Sequence, residues 1–307
     1  MSDYQAPDGA YPILLTAFDE NDALDLPAIG SLLDFYQRVG LPGVLALGQA
    51  SEVLYLDHDE RLALAEYVGN HPTGDLTIAT VGNFGATLSQ QAACLQSIYE
   101  MGSDIAVVAL SLLPSAQNLA HQLLAISSLV GDHVRLGIYE LPQPEHRLLS
   151  PDEVGRVAAS GRYYFMKDTC REIAPFSAKL RSAAGSALKL FQANLAVLPP
   201  SMDAGSHGFC GWLPMVSPEL SAQVCDMSLP AAIRQEAHER LTAFNEVMVA
   251  GGFPASAKHI LARRGVPIQA YSRAESARQF FDLGPAALDQ YLAENQPFTA
   301  LAMAETR

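Results

Sequence analysis

Along the first two thirds of the chain, short unbroken apolar runs alternate with longer stretches whose apolar positions recur every three or four residues. The short runs read as strands buried on both faces, and the longer stretches as amphipathic helices. The spacing predicts strands over Pro12–Ala17, Gly43–Leu47, Leu76–Val81, Ile105–Leu110, Arg135–Tyr139, Tyr163–Lys167, Lys189–Gln192 and Gly208–Gly211. Between them it predicts helices such as Leu26–Val39, Asp59–Val68, Leu88–Met101, Leu119–Val130 and Pro151–Ala159. Two helix starts carry their own signal. Asp57 stands three residues ahead of Glu60, the spacing of a capping box, and Ser150 precedes Pro151-Asp152-Glu153.

Eight strand–helix units in a row call for a parallel sheet, and eight is the number that closes into a barrel. The predicted fold class is α/β, a (β/α)8 TIM barrel with a C-terminal helical extension. A doubly wound open sheet is the alternative, but it wants a glycine-rich turn after the first strand, where this chain has Thr16-Ala17-Phe18-Asp19-Glu20. After Pro218 the strand pattern stops. Helices are predicted over Ala231–Ala250, Pro254–Arg264, Glu275–Phe281 and Pro285–Glu294, with Gly251-Gly252 marking one break. No polar linker divides this part from the rest, so residues 1–218 read as the barrel and 219–307 as an extension packed on it.

The chain of 307 residues is 49% hydrophobic and 17% charged, which suits one large core. Its net charge of −14 speaks against nucleic acid and anionic membrane as partners, since phosphates need a basic face. Cys94, Cys170, Cys210 and Cys225 include no Cys-x-x-Cys pair, so neither zinc nor a disulfide framework is expected and a reducing cytoplasm fits. Met1–Gly9 lacks the basic and apolar regions of a secretion signal, and no apolar run reaches the ~18 residues of a membrane span.

A barrel gives weight to the C-terminal ends of its strands, where the active sites of such folds sit. Lys167, one of four lysines, ends the sixth strand after Tyr163-Tyr164-Phe165-Met166. Desolvation there lowers the pKa of the amine and frees it to attack a carbonyl. A structural reading stands beside it, in which Lys167 reaches out to pair with Asp168. Tyr139 ends strand five and can carry a proton. Gly48-Gln49-Ala50-Ser51-Glu52 follows strand two, and backbone N–H groups leading into a helix suit an anion. Gly82-Asn83 follows strand three, while His58 and Asp57 read as parts of a helix cap. An amine nucleophile, a proton carrier and an anion-holding loop on one face are what a Schiff-base site needs.

These residues resemble the dihydrodipicolinate synthase and N-acetylneuraminate lyase family of pyruvate-type class I aldolases, from about Tyr11 to about Arg273. Phe165-Met166-Lys167-Asp168-Thr169 is similar to the segment that carries the family's Schiff-base lysine. Tyr139-Glu140-Leu141-Pro142 resembles its Tyr-Asn-x-Pro motif, whose tyrosine relays protons. Gly48-Gln49-Ala50-Ser51-Glu52 with Leu56 and Glu60-Arg61 is similar to its Gly-Thr-Thr-Gly-Glu loop. Gly205-Ser206-His207-Gly208-Phe209, continuing to Val216-Ser217-Pro218-Glu219, looks like the eighth-strand segment that lines the substrate. Ala257-Lys258, Leu261, Arg264-Gly265 and Arg273 resemble the helical bundle of the family. The resemblance implies Lys167 and Tyr139 as catalytic residues, Gln49, Ala50, Ser51, Gly208 and Phe209 as substrate-binding, and a homo-oligomer, dimer or tetramer. No metal or other cofactor is implied, because the iminium itself supplies the polarisation.

The departures are as informative. Gln49 and Ala50 replace the two loop hydroxyls of the synthases, Ala109-Leu110-Ser111-Leu112-Leu113-Pro114 lacks their tyrosine pair, and Pro144 stands in place of their carboxylate-holding arginine, with His146 and Arg147 nearby. The expected function is thus a Schiff-base-forming lyase on a 2-oxo acid: aldol cleavage or condensation with pyruvate, or dehydration of a 2-keto-3-deoxy sugar acid. The alternatives are 4-hydroxy-tetrahydrodipicolinate synthase, or a family member with impaired catalysis that binds a 2-oxo acid. Metal-dependent aldolase chemistry would want His, Asp or Glu at several strand ends, where Val81, Leu110 and Met166 stand, although Glu52 and Glu140 are available. Leu112, Leu113 and Trp212 suggest a mouth less polar than a sialic-acid site.

Overall fold

Eight strands form, seven at the predicted positions and the first displaced towards the N-terminus. The computed structural model describes residues 4–294, with β1 (Gly9–Pro12), β2 (Gly43–Ala46), β3 (Thr77–Val81), β4 (Ile105–Ala109), β5 (Leu136–Tyr139), β6 (Tyr163–Asp168), β7 (Lys189–Gln192) and β8 (Gly208–Gly211). All neighbours pair in parallel in the order β1-β8-β7-β6-β5-β4-β3-β2. Ile13 then bridges to Leu45, and the Leu14 N–H donates to the Leu45 carbonyl, which brings β1 back to β2. The first strand therefore differs from its expected span of Pro12–Ala17. In a tilted barrel strand, residues 9–12 pair with β8 and the next two reach β2, while the apolar run continues as buried loop.

The outer shell comprises α1 (Leu26–Arg38), α2 (His58–Asn70), α3 (Leu88–Glu100), α4 (Leu119–Leu129), α5 (Pro151–Ala159), α6 (Ile173–Ala183), α7 (Leu198–Asp203), α8 (Leu213–Val216) and α9 (Pro218–Cys225). Asp57 and Ser150 cap α2 and α5 through reciprocal bonds with Glu60 and Glu153, as their spacing predicts. Helix α9 packs on β1 and β8, so the expected boundary at 218 falls at the first residue of the barrel's last helix. The extension follows as α10 (Ala231–Ala250), α11 (Ala255–Arg263), α12 (Arg278–Leu283) and α13 (Ala286–Glu294), and the rest of its predicted range, 295–307, lies outside the described residues. No helix among the described residues is long and apolar enough to cross a membrane.

Strand alternation sorts side chains between two cores. Ala106, Val108, Leu136, Ile138, Tyr163 and Met166 pack outward with the helices, whereas Ile105, Val107, Ala109, Tyr139 and Phe165 belong to the other, larger core. Inside the barrel the rings of Tyr11, Phe165 and Phe191 meet, with centroids 4.7 to 5.4 Å apart. Gly43 is required beside them, because a Cβ there would lie 2.3 Å from the Tyr11 ring. This aromatic plug fills the floor beneath the strand ends.

Candidate active site

Lys167 is the second-last residue of β6, two residues beyond Phe165, so its side chain shares the inward face and rises from the aromatic plug. It is 3% exposed. Its Nζ lies 4.4 Å from the ring centroid of Tyr139, whose Cα is its register partner across β5 and β6. Burial pushes the amine down to about 8, against a smaller upward pull from the Cys210 thiol. The structural alternative of a Lys167–Asp168 pair does not form. Asp168 points the other way, where Oδ2 accepts from Lys179 Nζ at 2.6 Å and Oδ1 from the Cys170 N–H at 2.9 Å.

Tyr139 is buried as well, and burial raises its phenol above the ordinary tyrosine range, with a backbone hydrogen bond from Gln49 pulling the other way. That bond brings the loop after β2 to the same place. Gln49–Ser51 form one 3₁₀ turn, followed by Glu52 in the left-handed region at φ 59°. The Ser51 side chain is committed to the loop itself: its hydroxyl donates to the Leu14 carbonyl and accepts from the Gly48 N–H. Its own N–H reaches the Gly48 carbonyl at 3.1 Å.

Glu52 ties this loop to the extension. Its Oε1 accepts from Lys258 Nζ at 2.6 Å, and its Oε2 accepts from Ser272 Oγ at 2.8 Å and the Arg273 N–H at 2.7 Å. Arg273 in turn binds both oxygens of Glu60 and the carboxylate of Asp22. Sequence reasoning places Glu52, Lys258 and Arg273 in the family pattern without joining them.

The strand-eight residues fall differently. Gly208 opens β8 at its N-terminal end, where a Cβ would lie 1.9 Å from the Gly9 carbonyl oxygen, and Phe209 follows it. The β8 side chain that interacts with Lys167 and Tyr139 is Cys210, whose thiol burial pushes up to about 11. Period-two counting along β8 is the signal that could have found it.

The remaining candidates serve the scaffold. Asn83 clamps the end of β4, accepting from the Ala109 N–H at 2.8 Å and donating to its carbonyl at 3.0 Å. Arg147 donates to the Leu110 and Leu113 carbonyls and pairs with Glu145, while His146 bonds the Thr169 hydroxyl at 2.7 Å. Trp212 is exposed, packing on Phe253 and donating to Asn245 at 2.9 Å. Leu113 is buried and Leu112 partly so.

Sequence reasoning missed Lys179. It is buried on α6 and holds both Glu140 and Asp168 at 2.6 Å. Its sequence position names no partner, and only the outward turn of the two carboxylates beneath α6 reveals one.

A family model for the dihydrodipicolinate synthetase family matches residues 6–277. The N-acetylneuraminate lyase of Rhizobium meliloti is 40% identical over 91 residues, 28% of this chain and 30% of that protein. The 4-hydroxy-tetrahydrodipicolinate synthase of Archaeoglobus fulgidus is 22% identical over 264 residues, 84% of this chain and 89% of that one. Among solved structures, dihydrodipicolinate synthase from Aquifex aeolicus superposes with a TM-score of 0.78 at 18% identity, covering 92% of this chain and 98% of the other. An Escherichia coli K12 prophage protein of the same family, solved with pyruvate, gives 0.77 at 19% identity, covering 90% and 97%. Those likenesses fix the barrel fold, and the family match over most of the sequence fixes kinship: the chain belongs to the dihydrodipicolinate synthetase family, whose members are lyases of the class I aldolase type.

Proposed function

We propose that the protein is a Schiff-base-forming lyase acting on a 2-oxo acid, by aldol cleavage or condensation with pyruvate or by dehydration of a 2-keto-3-deoxy sugar acid. The observation that carries this reading is the Lys167 amine, buried over the Tyr139 ring while the adjacent carboxylate is taken by Lys179. Neutral Lys167 adds through Nζ to the C2 carbonyl carbon, and loss of water leaves an iminium. Breaking the C3–C4 bond, or removing a proton from C3, sends its electron pair to the iminium nitrogen and gives an enamine. In cleavage the C4 hydroxyl proton passes through the Tyr139 hydroxyl, which gives up its own proton as it takes this one, to C3 of the enamine as the aldehyde leaves. In dehydration the C3 proton and the C4 hydroxyl leave as water. Hydrolysis of the remaining iminium then frees the product and Lys167, and the reverse of cleavage is condensation. The substrate carboxylate sits against the loop after β2, where the Ala50 N–H lies in the first turn of the 3₁₀ helix, whose leading N–H groups have no intrahelical acceptor. Gly208 and Phe209 contribute through the wall of β8, with Cys210 as its inward side chain.

A second reading is 4-hydroxy-tetrahydrodipicolinate synthase, because relatives of that name align with most of both chains. The missing tyrosine pair and loop hydroxyls weigh against it, and they also motivate a third reading as a 2-oxo acid binder with impaired turnover. We further infer a cytoplasmic location from the unpaired, scattered cysteines, and a homo-oligomer, dimer or tetramer, from the family pattern. The deciding experiment is trapping with borohydride across a panel of 2-oxo acids, followed by intact-mass measurement and peptide mapping. Irreversible addition at Lys167 is the expected result. No adduct with any 2-oxo acid would end the lyase reading, whereas an adduct without turnover would favour the binder.

A further inference from the structure

We propose that Glu140, Asp168 and Lys179 are positioning residues, a buried cluster on the outer face of the sheet that fixes Tyr139 and Lys167 relative to each other. The functional meaning of this proposal rests on the lyase reading above. Its basis is the alternation of two paired strand ends. Tyr139 and Lys167 are register partners and both point inward. The residue that follows each, Glu140 just past the end of β5 and Asp168 at the end of β6, therefore points outward, and a single lysine from α6 meets both. Lys179 Nζ lies 2.6 Å from Glu140 Oε1 and 2.6 Å from Asp168 Oδ2, and all three side chains are at most 1% exposed.

The cluster is stitched into the backbone on both strands. Glu140 Oε1 also accepts from the Leu149 N–H at 3.0 Å, and Oε2 accepts from the Thr169 N–H at 3.0 Å. The Glu140 N–H donates to the Lys167 carbonyl at 3.1 Å, and the Thr169 hydroxyl donates to the Glu140 carbonyl at 2.8 Å. The loop after β5 and the turn after β6 are thereby held by one set of bonds, immediately behind the two inward residues.

Stability alone is a poor reason for such a cluster. Two carboxylates and one ammonium leave an uncompensated buried charge, and well-packed apolar side chains would fill the gap at least as favourably. Burial and the nearby Asp168 push the Glu140 carboxyl up to about 7, which records that conflict. What the cluster supplies that apolar packing does not is direction, since each bond ties one of the two carboxylates to a fixed donor on α6, on the segment before α5 or on the turn after β6. Catalytic groups need placement within fractions of an ångström, and misplacement far from the reacting atoms is costly.

The test compares Glu140→Ala with Glu140→Gln, which remove the same charge but differ in keeping an acceptor. Two readouts are taken on folded protein. The first needs no substrate: carbamylation of Lys167 by cyanate across pH, followed by peptide mass, gives the midpoint of its amine. The second is the rate of pyruvate trapping with cyanoborohydride at saturating and half-saturating pyruvate. Loss of a carboxylate charge alone lowers a neighbouring amine's pKa, whereas a loosened strand end admits water and raises it. In Glu140→Ala the Lys167 midpoint is expected to rise by about one pH unit or more, with trapping at saturation at least roughly tenfold slower and half-saturation little changed. Glu140→Gln, which keeps one accepting oxygen and sets an NH2 group against the donors of the other, should fall between wild type and Glu140→Ala in both. A wild-type midpoint in folded Glu140→Ala overturns the proposal. Should that variant not fold, Asp168→Ala, which removes the acceptors for Lys179 and for the Cys170 N–H, is judged by the same rise, and a wild-type midpoint in it overturns the proposal. Wild-type protein that traps no 2-oxo acid ends the lyase reading instead, and the cyanate midpoint still decides the positioning.

Discussion

Asp168 gives its carboxylate to Lys179 at 2.6 Å and leaves Lys167, its neighbour in the chain, with no ion-pair partner among the described residues. A lysine paired with a carboxylate holds its proton; this one lies over the Tyr139 ring near the Cys210 thiol, and burial pulls its amine down to about 8. Addition to a carbonyl needs the neutral amine. At pH 6 and 7 only about 1% and 10% of it is neutral, so trapping should accelerate roughly tenfold per pH unit and level off above about 8. Initial rates of cyanoborohydride trapping between those limits check this, and a flat profile through that range would contradict it.

The same burial has a cost for folding. An amine whose folded pKa is lowered disfavours its charged form inside the protein, so stability rises as pH passes from about 8 towards the ordinary 10.5. At pH 7 the penalty is on the order of 3 kcal/mol. Lys167→Met should therefore be inactive yet more stable than the parent at pH 7, by up to about that amount, and should lose the rise above pH 8. Urea unfolding at both pH values measures it. A less stable variant would mean that the amine has a structural partner after all.

Tyr139 separates binding from bond-breaking. Tyr139→Phe keeps the ring over Lys167 and removes only the hydroxyl. The adduct with pyruvate should still form, while turnover falls by roughly 10²–10⁴-fold. Intact-mass trapping beside a steady-state assay distinguishes the two, and unchanged turnover would remove the hydroxyl from the mechanism.

Glu52 tests the loop. Glu52→Ala leaves Lys258 buried without its countercharge, a loss of about 3–5 kcal/mol in stability. Because the same residue anchors the turn containing Gln49 and Ala50, the concentration of 2-oxo acid giving half-maximal trapping should rise about tenfold or more. Melting curves and trapping titrations at a temperature where the variant is folded check both effects. Weakened stability with unaltered half-saturation would reduce Glu52 to a structural anchor.

The barrel is legible in the sequence because each strand is an apolar run and each helix keeps its period; Asp57 and Ser150 even mark two starts to the residue. Lys167 and Tyr139 are legible because they end such runs. The first strand is not, since pairing of a tilted strand with two different neighbours leaves no mark on composition. Nor is the β8 wall: the family pattern points to Gly208 and Phe209, whereas alternation turns Cys210 towards the amine. Lys179 and Glu140 stay hidden for a different reason. A charged residue in a helix reads as surface, and the outward turn of two strand-end carboxylates under that helix becomes apparent only with the strands registered.

The bonds around Glu52 also impose a timetable. The turn that Gln49 and Ala50 occupy is encoded early, yet its anchor bonds come from Lys258, Ser272 and Arg273, more than two hundred positions later. A nascent chain leaving the ribosome can pair its strands through β8 while this turn is still untethered. On the lyase reading, the anchoring of the loop proposed to hold the substrate carboxylate is therefore completed only by the part of the chain made after the barrel.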